Sequence, residues 1–199
     1  MKSALLLSGG MDSIAVAYWQ RPHIAITIDY GQKPAAGEIR AAEAVAAVLE
    51  MEHHVIHVDM RMLGSGDLAG TAALGIAPVP EWWPFRNQML ITLGAMRAVT
   101  LGVARLLIGV VRTDARRHAD GTPSFVQAMD GILRSQEGRL ALEAPAIGFT
   151  APELVRESGV PSDVLAWAHS CHVADYACGM CRGCQKHYET LQALGFDPY

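Results

Sequence analysis

Short apolar runs alternate with segments of helical periodicity along the first 60 residues. The runs at 3–7, 23–28 and 54–58 are rich in Leu, Ile and Val and predict buried strands. Between them, apolar residues recur at helical spacing over 12–20 and 35–49, which predicts two helices. Strands that alternate with helices are typical of right-handed βαβ units. We therefore expect an open parallel sheet with helices on both faces, the α/β class.

The second half of the chain continues this alternation after an irregular stretch. Residues 61–85 show no periodicity and are rich in glycine and proline, which predicts a long functional or mobile loop. Apolar residues spread over more than one face of a helix predicted at 87–101, so we expect that helix to be largely buried. The further predictions are a strand at 105–111, a helix at 124–133, a strand at 140–144, a short helix capped by Thr150, and a closing helix at 185–194.

Composition narrows the class of protein. The 199 residues are 51% hydrophobic and 18% charged, which excludes a disordered or low-complexity chain. The 16 basic and 20 acidic residues give a net charge of −4, so we expect no direct binding to nucleic acid. No apolar run approaches the ~20 residues of a membrane span, and the N-terminal apolar stretch lacks an export cleavage pattern. We expect a cytoplasmic protein without membrane association.

The segment Ser8–Ser13, Ser-Gly-Gly-Met-Asp-Ser, lies between the first predicted strand and the first predicted helix. Ligands of parallel sheets gather at the carboxyl ends of strands, where a helix N-terminus offers free amides and partial positive charge. The glycines allow a tight turn around an anion, and Asp12 lies where it can hold Mg²⁺ between phosphate oxygens. An ordinary capped glycine turn is the alternative. The predicted nucleotide-binding residues are Leu7, Ser8, Gly9, Gly10, Met11, Asp12 and Ser13.

All four cysteines fall within the C-terminal 29 residues, at Cys171, Cys178, Cys181 and Cys184. Four thiolates at this spacing predict a closed tetrahedral Zn²⁺ site, which is structural because no ligand position stays open. An iron–sulfur cluster and a redox Cys-x-x-Cys pair are the alternatives. His172, beside Cys171, is a further candidate ligand, and a solvated loop histidine is the favoured alternative.

Together these motifs resemble the 7-cyano-7-deazaguanine synthase (QueC/ExsB) family of PP-loop ATP pyrophosphatases, whose phosphate loop reads Ser-Gly-Gly-x-Asp-Ser. The resemblance implies a Rossmann-like PP-loop domain over 1–165 and a four-cysteine zinc lobe with a closing helix over 166–199. The other matching pieces, in chain order, are Asp29–Gln32, Glu38, Pro84–Asn87, Gly109–Asp114, Ala144-Pro145, Thr150–Glu153 and Ser170-Cys171.

The activity that the resemblance implies is that of an ATP-dependent carbon–nitrogen ligase in queuosine biosynthesis. ATP activates the carboxylate of 7-carboxy-7-deazaguanine as an acyl-adenylate, ammonia attacks, and a second ATP-driven step converts the amide to the nitrile. This chemistry needs positioning, Mg²⁺ and positive charge at the α-phosphate, and it needs no nucleophilic side chain. Members of the family commonly form homodimers, so we expect a homodimer here.

Polar residues at the predicted strand ends are candidates for the pocket. The predicted catalytic residues are Asp12, Ser13, Arg86 and Asp114, and the predicted substrate-binding residues are Tyr30, Gln32, Arg86, Asn87, Arg112 and Asp114. Arg86 suits bidentate pairing with phosphate or carboxylate. Structural alternatives are a turn at Tyr30 and Gln32, capping by Asn87, an Asx-turn at Asp114 and a solvated loop at Arg112. Trp82 and Trp83 are candidates for a lid or a dimer contact.

Three positions depart from the family pattern. Only Asp120 of segment 115–122 matches the family's Ser-Gly-Tyr-Pro-Asp-Cys-Arg-like substrate stretch, Ala151 stands where a phosphate-binding lysine is usual, and Pro34 replaces a histidine. These changes indicate retained adenylation with an altered second substrate. The alternatives are a paralogue, for example of antiphage-defence type, that joins a deazapurine to a partner protein, a non-catalytic nucleotide-binding module, and a tRNA-modifying PP-loop enzyme.

Overall fold

Five parallel strands form one sheet at the centre of the computed structural model, which describes residues 2–196. The strands are β1 (Ser3–Leu6), β2 (Ile24–Asp29), β3 (Glu52–His57), β4 (Arg105–Ile108) and β5 (Ala141–Glu143). Their order is β3-β2-β1-β4-β5, and every neighbouring pair is parallel. The predicted parallel α/β sheet is confirmed.

Eight α-helices connect and cover these strands in residues 2–196. They are α1 (Met11–Gln20), α2 (Ala35–Val48), α3 (Gly66–Ala69), α4 (Arg86–Thr100), α5 (Pro123–Arg134), α6 (Ala151–Ser158), α7 (Ser162–Leu165) and α8 (Arg182–Ala193). Thr150 caps α6 as predicted, in a capping box: its hydroxyl accepts from the Glu153 amide, and the Glu153 carboxylate accepts from the Thr150 amide. Within this part of the chain, no helix has both the length and the apolar character that crossing a bilayer requires.

Two apolar cores flank the sheet because successive strand residues point to opposite faces. One core joins Leu5 and Leu107 of the strands to helices α1, α2 and α6. The other joins Ile26 and Leu106 to helices α4 and α5. The sheet is therefore covered on both faces, which explains why its central strands read as uninterrupted apolar runs.

Helix α4 is buried along one face, which corrects the prediction of a largely buried helix. Its buried residues are Ile91, Gly94, Ala95 and Ala98, whereas Met96 and Val99 are exposed. Gly94 has a packing reason: a Cβ there would collide with Cδ2 of Leu6 on β1. The close approach of α4 to the sheet buries this face. Met89, Leu90 and Leu93 are half-buried against the same core.

The irregular stretch 61–85 carries a short 3₁₀ helix (Arg61–Leu63) and α3, and it is anchored by an aromatic residue. Trp83 is 2% exposed and packs edge-on against Tyr30, with ring centroids 4.9 Å apart. Burial of this ring rules it out as a mobile lid or an exposed dimer contact. Trp82 is half-buried.

The order of the strands places a crevice between β1 and β4. The chain leaves β1 towards β2 on one side, and β4 occupies the other side. In open α/β sheets, ligands bind at such a switch point, outside the carboxyl ends of the strands. β4 ends at Ile108, earlier than the predicted 111, because Gly109 turns against α1: a Cβ there would lie 2.9 Å from Cα of Ser13.

Candidate active site

A cavity of about 300 Å³ opens at the carboxyl ends of β1 and β4. Its walls come from the phosphate loop, the end of β2, the start of α4, the segment after β4, and the cysteine segment with α8. Apolar side chains such as Ile28, Leu68 and Leu90 line it together with charged ones. A cleft of this kind, apolar with a few convergent polar groups, is typical of a small-molecule site.

The phosphate loop presents the open N-terminus of α1 to this cavity. Gly10 is the N-cap residue, and no side chain in the described part of the chain caps the helix. The Ser13 hydroxyl donates to the Gly10 carbonyl at 2.8 Å, and Ser8 Oγ lies 3.2 Å from Ser13 Oγ. The predicted residues that line the cavity are Leu7, Ser8, Gly10, Met11, Asp12 and Ser13.

Gly9 belongs to the loop but lies outside the cavity wall. Its φ is +73°, and a Cβ there would lie 2.5 Å from the Glu38 carbonyl oxygen. Its carbonyl accepts from the His169 amide at 2.9 Å. Gly9 therefore lets the loop pack against α2, a role that only glycine fills at this distance.

Lys186 of α8 joins two carboxylates beside the phosphate loop. Its Nζ donates to Asp12 Oδ2 at 2.7 Å and lies 3.5 Å from Asp114 Oδ1. Asp114 Oδ2 also accepts from the Val111 amide, three residues earlier in the chain, at 3.1 Å. This bond differs from the Asx-turn that was the structural alternative, in which the side chain accepts from an amide two residues later. The other oxygen of Asp12, Oδ1, is buried and has no hydrogen-bond partner within residues 2–196.

Burial and mutual charge shift the pKa values of Asp12 and Lys186. Burial raises the pKa of Asp12; Lys186 opposes that rise and Asp114 adds to it. Burial lowers the pKa of Lys186, but the two carboxylates outweigh burial and the pKa is raised overall. Lys186 is therefore a permanent cation at neutral pH, on the wall of the cavity.

A second polar group lies at the end of β2. Burial raises the pKa of Glu38 to about 7, against the opposing effects of Gln32 and Arg86. Burial also raises the pKa of Tyr30, with Arg86 again opposing. Tyr30, Glu38 and Arg86 all line the cavity. Arg86 therefore lies beside Tyr30 and Glu38 in the cavity wall. Its binding of a phosphate or carboxylate stays a prediction.

Gln32 and Arg112 do not reach the cavity, which corrects their predicted substrate contacts. Gln32 is 3% exposed; its side chain accepts from the Tyr30 amide at 2.8 Å and donates to Glu38 at 2.7 Å. Arg112 pairs with Glu153 at 3.0 Å on the surface. Gln32 stabilises the turn after β2, and Arg112 binds the capping box of α6. Both side chains therefore have structural roles.

Asn87 lines the cavity, but part of its side chain is committed to Asp120. The backbone amide of Asn87 donates to Asp120 Oδ2 at 3.0 Å, and its side-chain Nδ2 donates to the Asp120 carbonyl at 2.9 Å. Asp120 thus binds the N-terminus of α4 from outside the helix. Asn87 retains its side-chain oxygen for a ligand.

The four cysteines converge at the start of α8. Their Sγ atoms all lie within 4.8 Å of one another. Cys178 accepts from the amides of Met180 and Cys181 at 3.5 and 3.3 Å, and these bonds lower its pKa to about 6. A Zn–S distance of about 2.3 Å places sulfurs about 3.8 Å apart in a tetrahedral site. The observed 3.9 Å separations of Cys178 from Cys184 and of Cys171 from Cys181 fit a single zinc ion.

The same distances weigh against an iron–sulfur cluster, whereas a redox Cys-x-x-Cys pair stays an alternative. A cluster of several irons stands between its cysteines and would need them farther apart than one ion does. The His172 amide donates to Cys181 Sγ at 3.3 Å, whereas its ring lines the cavity instead of joining the sulfurs. Gly183 permits the tight packing, because a Cβ there would collide with the Ser170 carbonyl oxygen.

Several side chains of the cavity were missed by the sequence analysis. Lys186 and Arg182 lie on the closing helix, and Glu81 lies in the irregular stretch. A partial signal existed for Lys186, since the chain has only three lysines, at 2, 33 and 186. No spacing or motif marked the other two residues.

Known proteins with related sequences were compared with this chain. A family model described as "Queuosine biosynthesis protein QueC" matches residues 2–195. A 7-cyano-7-deazaguanine synthase of Paramagnetospirillum magneticum is 30% identical over 223 residues, covering 100% of this chain and 98% of the relative. A protein of the same name from Synechococcus sp. (strain CC9311) is 31% identical over 212 residues, covering 96% and 92%. The 7-cyano-7-deazaguanine synthase 1 of Desulfitobacterium hafniense is 28% identical over 204 residues, covering 96% and 91%.

Proposed function

Since this chain belongs to the QueC family, we propose that it is an ATP-dependent ligase that makes 7-cyano-7-deazaguanine from 7-carboxy-7-deazaguanine and ammonia. The acid attacks the α-phosphate of ATP and releases pyrophosphate. Ammonia then displaces AMP from the acyl-adenylate and gives the amide. A second ATP activates the amide oxygen, and loss of AMP gives the nitrile.

One observation carries this proposal: the open N-terminus of α1 lies at the switch point of the sheet and faces a cavity with Asp12, Asp114 and Lys186. A helix N-terminus binds phosphate through its free amides and its partial positive charge. The acidic pair and the lysine add the groups that nucleotide chemistry requires. A structural glycine turn would need none of them.

The residues of the cavity divide the work between binding and charge stabilisation. The first amides of α1, with the hydroxyls of Ser8 and Ser13, bind phosphate oxygens. Arg86 and Lys186 supply positive charge against the negative charge that develops as pyrophosphate leaves. The substrate carboxylate is itself the nucleophile, so the protein accelerates the reaction mainly by positioning.

The proposed function involves two metal ions, Mg²⁺ with the nucleotide and Zn²⁺ in the cysteine segment. Asp12 and Asp114 would hold Mg²⁺, because Asp12 Oδ1 is buried without a partner in the described residues and Mg²⁺ is commonly bound by one or two carboxylates plus phosphates. Bound Mg²⁺ neutralises phosphate charge. Cys171, Cys178, Cys181 and Cys184 would hold Zn²⁺ as a structural ion.

The test is turnover of purified protein with Mg·ATP and 7-carboxy-7-deazaguanine, with and without ammonium. We expect pyrophosphate release that depends on the acid, and nitrile detected by mass spectrometry when ammonium is present. Pyrophosphate release with the deazapurine attached to a protein would favour the defence-type paralogue. ATP binding without pyrophosphate release, whichever deazapurine acid is supplied, would contradict the proposal and indicate a non-catalytic module.

We also propose a cytoplasmic homodimer. Its support is apolar surface: Met96 and Val99 of α4 are 64% and 45% exposed, and Ile132 of α5 is 50% exposed. Light scattering should give twice the mass of the chain. Met96→Glu should shift the protein towards monomer, whereas Val48→Glu, at an exposed apolar position of α2, should not.

A further inference from the structure

Glu81 is a buried carboxylate that the reaction above does not use. It is 5% exposed and lines the same cavity as the phosphate loop. Its Oε1 lies 3.5 Å from Nε of Arg182, while Oε2 is buried and has no hydrogen-bond partner in the described chain. A buried carboxylate oxygen without a partner costs free energy, which a donor on a bound ligand would recover.

The main chain around Glu81 holds its side chain in place. The Ser65 hydroxyl donates to the Trp82 carbonyl at 2.7 Å, and the Asp67 amide donates to the Pro80 carbonyl at 2.9 Å. Two residues after Glu81, the buried ring of Trp83 packs against Tyr30. Anchors on both sides of Glu81 fix its carboxylate before a ligand arrives, and such preorganisation favours selective binding.

The surroundings of Glu81 suit a flat heterocycle. Tyr30, Leu68 and Leu90 give the same cavity apolar walls. His172 Nδ1, like Asp12 Oδ1, is a further polar atom on this cavity that is buried without a partner in residues 2–196. Apolar walls with a few unpaired polar atoms are typical of a pocket that binds a polar aromatic ring.

The one acidic residue that matches the family's substrate stretch is bound to another part of the chain. Asp120 is the acidic residue that matches the family's substrate stretch, but its carboxylate and carbonyl both bind Asn87. Asp120 is absent from the wall of the cavity, whereas Glu81 is part of it.

We propose that Glu81 recognises the base of the substrate. Its carboxylate accepts two adjacent N–H donors, the ring amide and the exocyclic 2-amino group of a 2-aminopyrimidin-4-one edge. The inference rests on the proposed function, because that function supplies a deazaguanine acid as the substrate. A carboxylate matches two parallel N–H donors bidentately, and a ligand that lacks one donor leaves the buried oxygen unpaired.

The test compares two ligands and three proteins by calorimetry. The ligands are 7-carboxy-7-deazaguanine and its analogue without the 2-amino group. The proteins are the wild type, Glu81→Gln and, as a matched control, Glu137→Gln at an exposed position outside the cavity. We expect the wild type and E137Q to bind the parent acid at least tenfold more tightly than the analogue. E81Q should weaken binding of the parent acid roughly 10–100-fold and bring the two affinities within about threefold.

The outcomes separate this inference from the proposed function. A wild-type affinity ratio near one overturns the assignment of Glu81 even if E81Q does not fold. A large ratio that E81Q preserves overturns it as well. Pyrophosphate release is measured in parallel with the wild type: selective binding that depends on Glu81 but without pyrophosphate supports the inference and contradicts the proposed function. Pyrophosphate release by the wild type, together with an affinity ratio that is the same in E81Q as in the wild type, supports the proposed function and contradicts the inference about Glu81. Failure of the wild type to bind either acid overturns both.

Discussion

Lys186 stands between two carboxylates that would otherwise repel each other. The sequence has alanine at 151, where the family usually has a phosphate-binding lysine, and Ala151 lines the cavity. Lys186 lines the same cavity from α8. At the scale of single residues, the cavity thus keeps an ammonium group although the expected position has lost it, and that group comes from a different element of the fold.

Lys186→Met should abolish the cation and keep most of the side-chain volume. We expect pyrophosphate release to fall about 10²–10³-fold, as for the loss of one preorganised charge at a reacting centre. The free energy of unfolding should also fall, by about 3 kcal/mol, because Asp12 would be left buried and unpaired. Stopped assays and urea titrations measure the two effects.

Two further variants separate catalysis from stability. Lys2→Met removes an exposed lysine, which lies 3.8 Å from Glu52, and should leave activity unchanged. Asp12→Asn combined with Lys186→Met should recover much of the stability without recovering activity. Full activity of K186M would contradict a role for Lys186 in charge stabilisation.

Glu38 predicts a pH effect on stability. Burial raises its pKa from an ordinary value of 4.5 to about 7 in the folded protein. Between these values the folded state keeps a proton that the unfolded chain has released, so the contribution of Glu38 to the free energy of unfolding falls as pH rises, and it stays low above pH 7. Glu38→Gln removes the titrating group. As pH rises through this window, the free energy of unfolding of the variant should therefore increase relative to that of the wild type by on the order of 1–3 kcal/mol.

Urea titrations from pH 4 to 8 measure this difference. Glu157→Gln, at an exposed position of α6, controls for the loss of one negative charge. If the curves of E38Q and the wild type stay parallel from pH 4 to 8, Glu38 is not the titrating group.

At the scale of elements, the approach of the β4 end to helix α1 sets the geometry of the phosphate loop. A Cβ at Gly109 would lie 2.9 Å from Cα and 3.1 Å from N of Ser13. Backbone atoms of a helix end cannot yield without moving the amides that face the cavity. The position of α1 therefore depends on a residue that follows a different strand.

Gly109→Ala should displace the first turn of α1. We expect a loss of about 1–3 kcal/mol in stability from overpacking and at least a tenfold loss of affinity for a non-hydrolysable ATP analogue. Gly131→Ala is the matched control, since a Cβ there meets no described atom within 4 Å. In α5 that change should stabilise the protein by about 0.5–1 kcal/mol, because alanine favours helix more than glycine does. Unaltered nucleotide affinity in G109A would show that α1 tolerates the contact.

Elements with a strong local pattern were predictable from the sequence, and contacts between distant segments were not. Leu5, Leu7 and the glycines after them identified strand, turn and helix, because period and turn chemistry act over few residues. The place of Glu81 depends on Trp83 packing against Tyr30, which no local pattern encodes. Arg112 has the positive charge and the place after a strand that suit a phosphate ligand. It forms an ion pair with Glu153 of the capping box, however, and this contact between distant segments was not visible in the sequence.

At the scale of the whole molecule, the cysteine segment and the helix that it starts form part of the cavity wall. Cys181 is the N-cap of α8, and Arg182 and Lys186 follow in its first two turns. The division into domains 1–165 and 166–199 stays a prediction, and residue 1 and residues 197–199 of it lie outside the described residues. Whatever the boundary, both parts contribute side chains to one cavity.

Removal of zinc should therefore cost nucleotide binding. We expect one zinc per chain by elemental analysis, and at least a tenfold loss of ATP-analogue affinity after chelation, because the energy of metal binding folds the segment that carries Lys186. Cys181→Ser should behave like the chelated protein, and added zinc should restore the chelated wild type but not the variant. Unchanged affinity in metal-free protein, or iron in place of zinc, would contradict this assignment.

The start of α8 at Cys181, one of the four proposed zinc ligands, also has a consequence for how preparations behave. Cys181 is the N-cap of α8, and Arg182 and Lys186 of that helix line the cavity. We therefore expect a molecule with bound zinc to present both side chains to the cavity, and a molecule without zinc to hold neither in place. Incomplete metallation should then reduce the number of active molecules, while each zinc-bound molecule keeps its full turnover number. Specific activity would scale in proportion to zinc occupancy while KM stays constant, so the metal content of a sample counts its competent active sites.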